Sequence, residues 1–404
     1  MDCRCTTLNK QHPIRPVVYG IGFYFLIAAT DSFQIGTIGS FLKIAAFLPL
    51  ILLLFEIRSL KLRISPLLIL QTLFWLLTLI SFFYTVSLDR TMASVETLTL
   101  NLILIICLGT LEEYNDRELQ FLKQCLLLGG WVTIALLVFF SDFSTHNRMT
   151  MLLGQATQDQ NYLNGYFLYA FSHHCNQMVL KRKRLHILPV VIILTTVLLT
   201  GSRGALISFI AVIFTFFCIQ LSDSKHRVRN VALVILLIAV FFILFDLILA
   251  QIPQDVAKRF TWDFIAEKGT TGRTRIWDTL ISHFSRDSIP RMLFGHGYGS
   301  TPVVNTRNSL VAHNLYLDNL ITLGIIGLLL QLLSQATVLR ILLRSKQLSL
   351  VGAYIGMMFM CLTLSLMAYK PLWNMMLMAF IIDTRSRAQE TDLLQRNPTQ
   401  EVSL

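Results

Sequence analysis

Charge is what this sequence lacks: only 14% of its 404 residues are Asp, Glu, Lys or Arg, against about 25% in a soluble domain. With 54% hydrophobic residues and a mean hydropathy of +0.62, the shortfall excludes an ordinary soluble fold and implies a membrane protein. Cysteines are few and scattered, at Cys3, Cys5, Cys107, Cys125, Cys175, Cys218 and Cys361. Cys3 and Cys5 form one C-x-C with no second pair, so neither a zinc site nor a disulfide framework is indicated. The chain has no G-x-x-x-x-G-K-[S/T], no G-x-S-x-G and no H-E-x-x-H. Those absences argue against internal nucleotide hydrolysis, a hydrolase nucleophile elbow and a helical zinc site. Energy for any reaction therefore has to arrive in the substrate. The N-terminus also lacks a small-residue cleavage site, so the first apolar segment is expected to stay as an anchor.

What the chain does have is apolar segments long enough to span lipid, recurring from end to end. They predict an all-α polytopic membrane protein of about 12 transmembrane helices, near 15–30, 38–57, 65–86, 92–110, 119–140, 161–180, 185–200, 204–221, 230–250, 313–338, 349–368 and 371–383. The segment 161–180 is semi-polar, with Ser172, His173, His174 and Asn176, and fits only inside a bundle. The net charge of +11 does not point to nucleic acid, because the basic residues cluster between hydrophobic segments.

Lys and Arg in short loops set the orientation. One side has Arg58, Lys61 and Arg63, then Lys181 to Arg184, then Lys225, Arg227 and Arg229, then Arg340, Arg344 and Lys346, with Arg385 and Arg387 beyond the last span. The short loops of the other side hold only isolated cations such as Arg90, Arg148, Arg203 and Lys370. Both termini are thus expected to be cytoplasmic, although the acidic stretch Glu112, Glu113, Asp116 and Glu118 fits the rule poorly. The expected organisation is helices 1–9 over 1–250, a large periplasmic loop between spans 9 and 10 over 251–312, helices 10–12 over 313–383, and a cytoplasmic tail over 384–404.

Four polar stretches are expected to converge on the outer face: Gly201 to Ala205 (G-S-R-G-A), Gly272 to Trp277 (G-R-T-R-I-W), Phe294 to Ser300 (F-G-H-G-Y-G-S) and Ala312 to Leu320 (A-H-N-L-Y-L-D-N-L). An arginine fork grips phosphate bidentately, whatever the pH. Arg203, Arg273 and Arg275 would suit a diphosphate at headgroup level, while His313 has the chemistry to take a proton from a hydroxyl. Blander readings stand beside these. Arg203 can be an interfacial snorkelling arginine, Arg273 and Arg275 ordinary loop surface, and His313 a helix-start hydrogen bonder. G-H-G-Y-G alone is more often a turn than a phosphate cradle, and His173 with His174 point about 100° apart on a helix, so no metal ligands are assigned.

Together S-R-G-A (Ser202 to Ala205), G-R-T-R-I-W, G-H-G-Y-G-S and H-N-L-Y-L-x-x-L-x-x-x-G-I-I-G (His313 to Gly327) resemble the O-antigen ligase and polymerase superfamily of bacterial envelope glycosyltransferases. The resemblance covers roughly the second half of the chain. It implies a metal- and nucleotide-independent, inverting glycosyltransferase of the inner membrane, without a cofactor, moving an oligosaccharide from undecaprenyl diphosphate to a sugar hydroxyl at the periplasmic face. By it, Arg203 and Arg273 hold the diphosphate and His313 is the general base, while Arg275 has no firm counterpart. The implied partners are the lipid-linked donor, a glycan or lipid A–core acceptor, membrane lipid, and chain-length regulator or flippase proteins. D-Q-N-Y-L (Asp159 to Leu163) and the G-R-T-R-I-W form look more like polymerase-type than ligase-type members. The competing reading from another class is a secondary transporter of a small anion; transporters usually show two related halves, and residues 1–200 and 201–404 show no correspondence.

Overall fold

The computed structural model describes residues 13–35, 39–56, 63–109, 114–142, 148–153, 156–221, 231, 249–261, 263–264, 272–305 and 309–396. The helices used below are α1 (Pro16–Leu26), α2 (Phe47–Leu54), α3 (Pro66–Ile80), α4 (Leu88–Gly109), α5 (Asp116–Phe139), α6 (Leu168–Val179), α7 (Ile187–Leu199), α8 (Arg203–Leu221), α9 (Arg273–Phe284), α10 (Ile289–Phe294), α11 (Leu315–Arg344), α12 (Leu348–Cys361) and α13 (Lys370–Arg396). Local chemistry sets many of the starts. Ser65 caps α3 ahead of Pro66, Asn115 and Glu118 form a capping box on α5, and the Asn314 side chain accepts from Tyr316 N and Leu317 N at the head of α11.

The chain is an all-α membrane protein with two minor sheets. Among the described residues five helices are long and apolar enough to cross a bilayer: Pro66–Phe83, Leu88–Gly109, Asp116–Phe139, Arg203–Leu221 and Leu315–Arg344. On α3 the residues Ile69, Leu73, Leu76 and Ile80 face outward, at i, i+4, i+7 and i+11, while Gln71, Phe74 and Thr78 are buried. An apolar exterior around a partly polar interior is what a lipid solvent demands. The semi-polar α6 lies inside as its composition requires, with Ser172, His174 and Asn176 buried. Span nine, expected at 230–250, lies outside the described residues except for 231, 249 and 250, and so do Arg58, Lys61, Lys225, Arg227 and Arg229.

One boundary differs from expectation. The segment expected as 371–383 followed by a tail is one 27-residue helix, α13, continuing to Arg396. Nothing after Pro371 breaks it, and Arg387 pairs with Asp383 at 3.0 Å across one turn. The misfitting acidic stretch also has an explanation: Glu118 is fully buried and accepts from Arg15 Nε at 2.8 Å and Nη2 at 2.9 Å. With Glu56 Oε2 3.8 Å from Arg15 Nη1 and Arg385 on Asp116, the acids neutralise cations at one end of the bundle. Glu118 is an interior partner, whereas Asp116 is exposed and Glu112 and Glu113 lie outside the described residues.

A kink in α11 organises the other end. Gly324 sits at φ 67°, ψ −165°, which stops the helix ladder locally. The stranded carbonyls of Ile321 and Thr322 accept instead from His296 N at 3.0 Å and Gly297 N at 2.9 Å. The glycine-rich 295–299 turn is therefore a plug for the kink. A Cβ on Gly324 would lie 2.3 Å from Leu293 C, and one on Gly295 would lie 2.3 Å from Thr322 C. Gly324→Ala combines that clash with a left-handed backbone and is expected to destabilise by about 1–3 kcal/mol or more. Thermal unfolding of the detergent-purified protein would register it as a clear drop in midpoint; an unchanged midpoint would contradict the plug.

Candidate functional site

At that same end, a small antiparallel sheet (Ser141–Asp142, Thr150–Leu153, Ala156–Gln158) leads the chain from α5 towards α6. Its first connection carries Arg148, and its exit delivers Asp159. Arg148 is buried; its Nε donates to Thr200 O at 2.7 Å and its Nη2 to Asn161 Oδ1 at 3.2 Å. Asp159 holds Asn161 in place by accepting from its backbone N at 2.7 Å and its Nδ2 at 2.8 Å.

Thr200 and Gly201 end α7 in a turn that needs glycine: Gly201 has φ +62°, and a Cβ there would meet Arg148 Nε at 3.1 Å and Arg259 Cδ at 3.2 Å. Arg259 Nε donates to Gly201 O at 3.0 Å. Two guanidiniums thus grip the carbonyl end of α7, where a helix favours cations. The chain then turns into α8, whose first residue is Arg203, with its guanidinium carbon 5.7 Å from the Phe264 ring centroid.

Arg273 begins α9 directly after Gly272, whose φ of +85° opens the helix. One turn on, Trp277 Nε1 donates to Ala312 O at 2.8 Å. Ala312 N donates to Asp318 Oδ1 at 3.1 Å, and Asn314 caps α11. His313 is pinned between these anchors at φ 50°, a conformation rarely taken by residues other than glycine. Its Nδ1 is buried with no hydrogen-bond partner among the described residues. A strained, half-buried imidazole with a spare ring nitrogen is a candidate reactive group.

Electrostatics tie these pieces into one site. Burial first, then the charges of Arg259 and Arg273, push the Arg148 guanidinium down to about 10, with Asp159 opposing. Burial and then Arg203 and Arg273 lower Arg259. Arg273 is lowered chiefly by burial, with Asp159 and Tyr162 pulling up and Arg203 down. His313 is held below its ordinary value by burial and then by Arg273, against Asp159. Arg273 lowers Arg148, Arg259 and His313, and Asp159 opposes it at Arg148 and His313. A cationic cluster of this kind is suited to an anion.

Of the residues singled out in the sequence, Arg203, Arg273 and His313 come together. Arg275, about 200° round α9 from Arg273, is exposed on the far side of that helix. The Gly295–Ser300 stretch does not join them either: Gly297 and Gly299 pack against Thr85 and Ser94, and His296 Nε2 lies 2.9 Å from Asp287 Oδ2. His283, Asp287 and His296 are the metal-capable trio among the described residues, with ligand atoms within 4.8 Å of one another. They belong to the plug. Arg148 and Arg259 had no motif to announce them, because their partners are backbone carbonyls. Asp159, Asn161 and Tyr162 do come from a stretch that the sequence singled out, and Tyr162 OH donates to Ser365 O at 3.4 Å.

Residues 188–332 match the family model for O-antigen ligase. The matched stretch holds Arg203, Arg259, Arg273, Trp277 and His313, whereas Arg148 and Asp159 precede it. No curated protein matches the chain.

Proposed function

We propose, for a chain whose residues 188–332 match the family model for O-antigen ligase, that it transfers an oligosaccharide from a lipid diphosphate carrier to a sugar hydroxyl. His313 takes the acceptor proton. The freed oxygen attacks the anomeric carbon, the bond to the diphosphate breaks, and the leaving diphosphate is held by Arg203 and Arg273, with Arg148 and Arg259 adding positive potential. Attack opposite the leaving group inverts the anomeric centre. The observation that carries this reading is the grouping of Arg148, Arg259 and Arg273 with His313, whose Nδ1 has no hydrogen-bond partner among the described residues. One group binds a leaving anion and the other receives a proton, so neither a metal nor a nucleotide is required.

In this reading the arginine end faces the periplasm, the ion-paired end with Arg15 and Glu118 faces the cytoplasm, and twelve spans cross the inner membrane. The donor is an undecaprenyl-diphosphate-linked repeat and the acceptor a second lipid-linked glycan. That makes the protein a polymerase in preference to a ligase, because Asp159, Asn161 and Tyr162 of the polymerase-like stretch border the site. Deletion of the gene followed by electrophoresis of surface polysaccharide tests it. A ladder collapsed to a single repeat supports a polymerase, full-length chains stranded on the carrier indicate a ligase, and an unaltered pattern overturns glycan transfer.

A further inference from the structure

A cavity lies at the opposite end of the bundle from Arg203. It has a volume of about 310 Å³ and opens where α5, α6 and the α11–α12 connection meet. By volume it would hold about ten waters. Lys123, Lys181 and Lys346 line it, and no carboxylate does. Lys123 Nζ donates to Gln347 Oε1 at 3.2 Å, a neutral partner. Gln177, only 8% exposed, also lines the cavity, and its Oε1 is buried with no hydrogen-bond partner among the described residues. Leu127 and Leu180 form an apolar part of the wall.

Charge bias alone explains lysines in loops at this end. It does not explain why three of them surround a cavity, nor why the buried Gln177, whose Oε1 lacks a partner among the described residues, borders the same space. An unsatisfied buried acceptor costs on the order of 1–3 kcal/mol. A ligand that suits the whole wall has a phosphate for the lysines, a hydroxyl or ammonium donor for Gln177, and an apolar tail. The cavity also sits where α6 ends at Val179, α11 ends at Arg344 and α12 begins at Leu348, the level at which helices leave the hydrocarbon.

We propose that this cavity binds the headgroup of an anionic glycerophospholipid carrying a hydroxyl donor, as phosphatidylglycerol does. The ligand chemistry is a phosphodiester beside a donor, and the source is membrane lipid rather than a soluble phosphate. The site is independent of the transfer reaction and shares no residue with it.

The test uses the full-length protein in an uncharged detergent, titrated with short-chain phosphatidylglycerol, phosphatidylcholine of equal chain length, and glycerol 3-phosphate, with bound lipid read by native mass spectrometry. Phosphatidylglycerol is expected to bind saturably and at least about tenfold more tightly than phosphatidylcholine, which lacks both donor and net charge. Each lysine near a lipid surface is worth about fivefold. The triple variant Lys123→Gln, Lys181→Gln, Lys346→Gln should therefore weaken binding on the order of 100-fold. Should that variant fail to elute as a single species, the exposed Lys181→Gln alone should weaken it about fivefold. Undiminished binding in the variants overturns the site. Displacement by an equal concentration of glycerol 3-phosphate overturns the lipid source and assigns the cavity to a soluble anion. Glycan assembly is expected to persist in all these variants.

Discussion

His313→Asn is expected to reduce glycan transfer roughly 10²–10⁴-fold, the usual contribution of a general base, while the protein still folds and inserts. Asparagine is the appropriate replacement because His313 sits at φ 50°, a region that Asn tolerates and Ala does not. The flanking anchors, Trp277 on Ala312 O and Asn314 on the α11 start, are untouched by the change. A loss of activity with a wild-type unfolding midpoint thus isolates the imidazole. The pH profile of the wild-type rate provides a second readout. The base acts in its neutral form, and burial followed by Arg273 holds that form favoured below the ordinary value of 6.5, with Asp159 pulling the other way. The rate should rise with pH through a limb centred below 6.5 and then level off. Asp159→Asn removes the opposing charge and should move the limb lower still. Steady-state transfer from a synthetic lipid-diphosphate donor between pH 4 and 8 checks both; a limb centred above 6.5, or a variant retaining more than about a tenth of the rate, contradicts the assignment.

The membrane class, many helix positions and three members of the candidate site were readable in the sequence because each leaves a local signature. Hydropathy marks helices in lipid, and a glycine-flanked arginine or a histidine opening an apolar run stands out from its surroundings. What escaped is settled by tertiary neighbours. Arg148 and Arg259 are bound through the carbonyls of Thr200 and Gly201, and a carbonyl belongs to every residue. Glu118 reads as a loop acid until Arg15 is folded onto it from 103 residues away. The alternating glycines at 295–299 announce a turn, but their use depends on the Gly324 kink, which the helix-length segment from Leu315 to Arg344 conceals. Arg275 shares a motif with Arg273, yet the helical period carries it to the other side of α9.

Arg273→Gln should cost transfer on the order of 10²–10³-fold, as does the loss of one preorganised charge-stabilising donor, and should leave the protein at least as stable as before. The second half is what separates a binding role from a structural one. Arg273 is half-buried, depresses Arg148, Arg259 and His313, and is itself depressed by burial and Arg203. Folding therefore brings together guanidiniums that repel one another at reduced solvation, and removing one relieves the others. Its helix keeps Gly272 at the start and Trp277 on Ala312 O, so the frame around His313 persists. An arginine present for the fold would lower the unfolding midpoint when replaced; one present for a bound diphosphate would not. Arg273→Lys keeps the charge but loses the two-pronged fork, and is expected to fall between wild type and Arg273→Gln, chiefly through weaker donor binding. Arg203→Gln should likewise lower transfer, because Arg203 belongs to the same cationic cluster. Parallel measurement of unfolding midpoint and donor turnover decides the matter. A destabilised but catalytically normal Arg273→Gln would make the cluster a scaffold and remove the diphosphate from it.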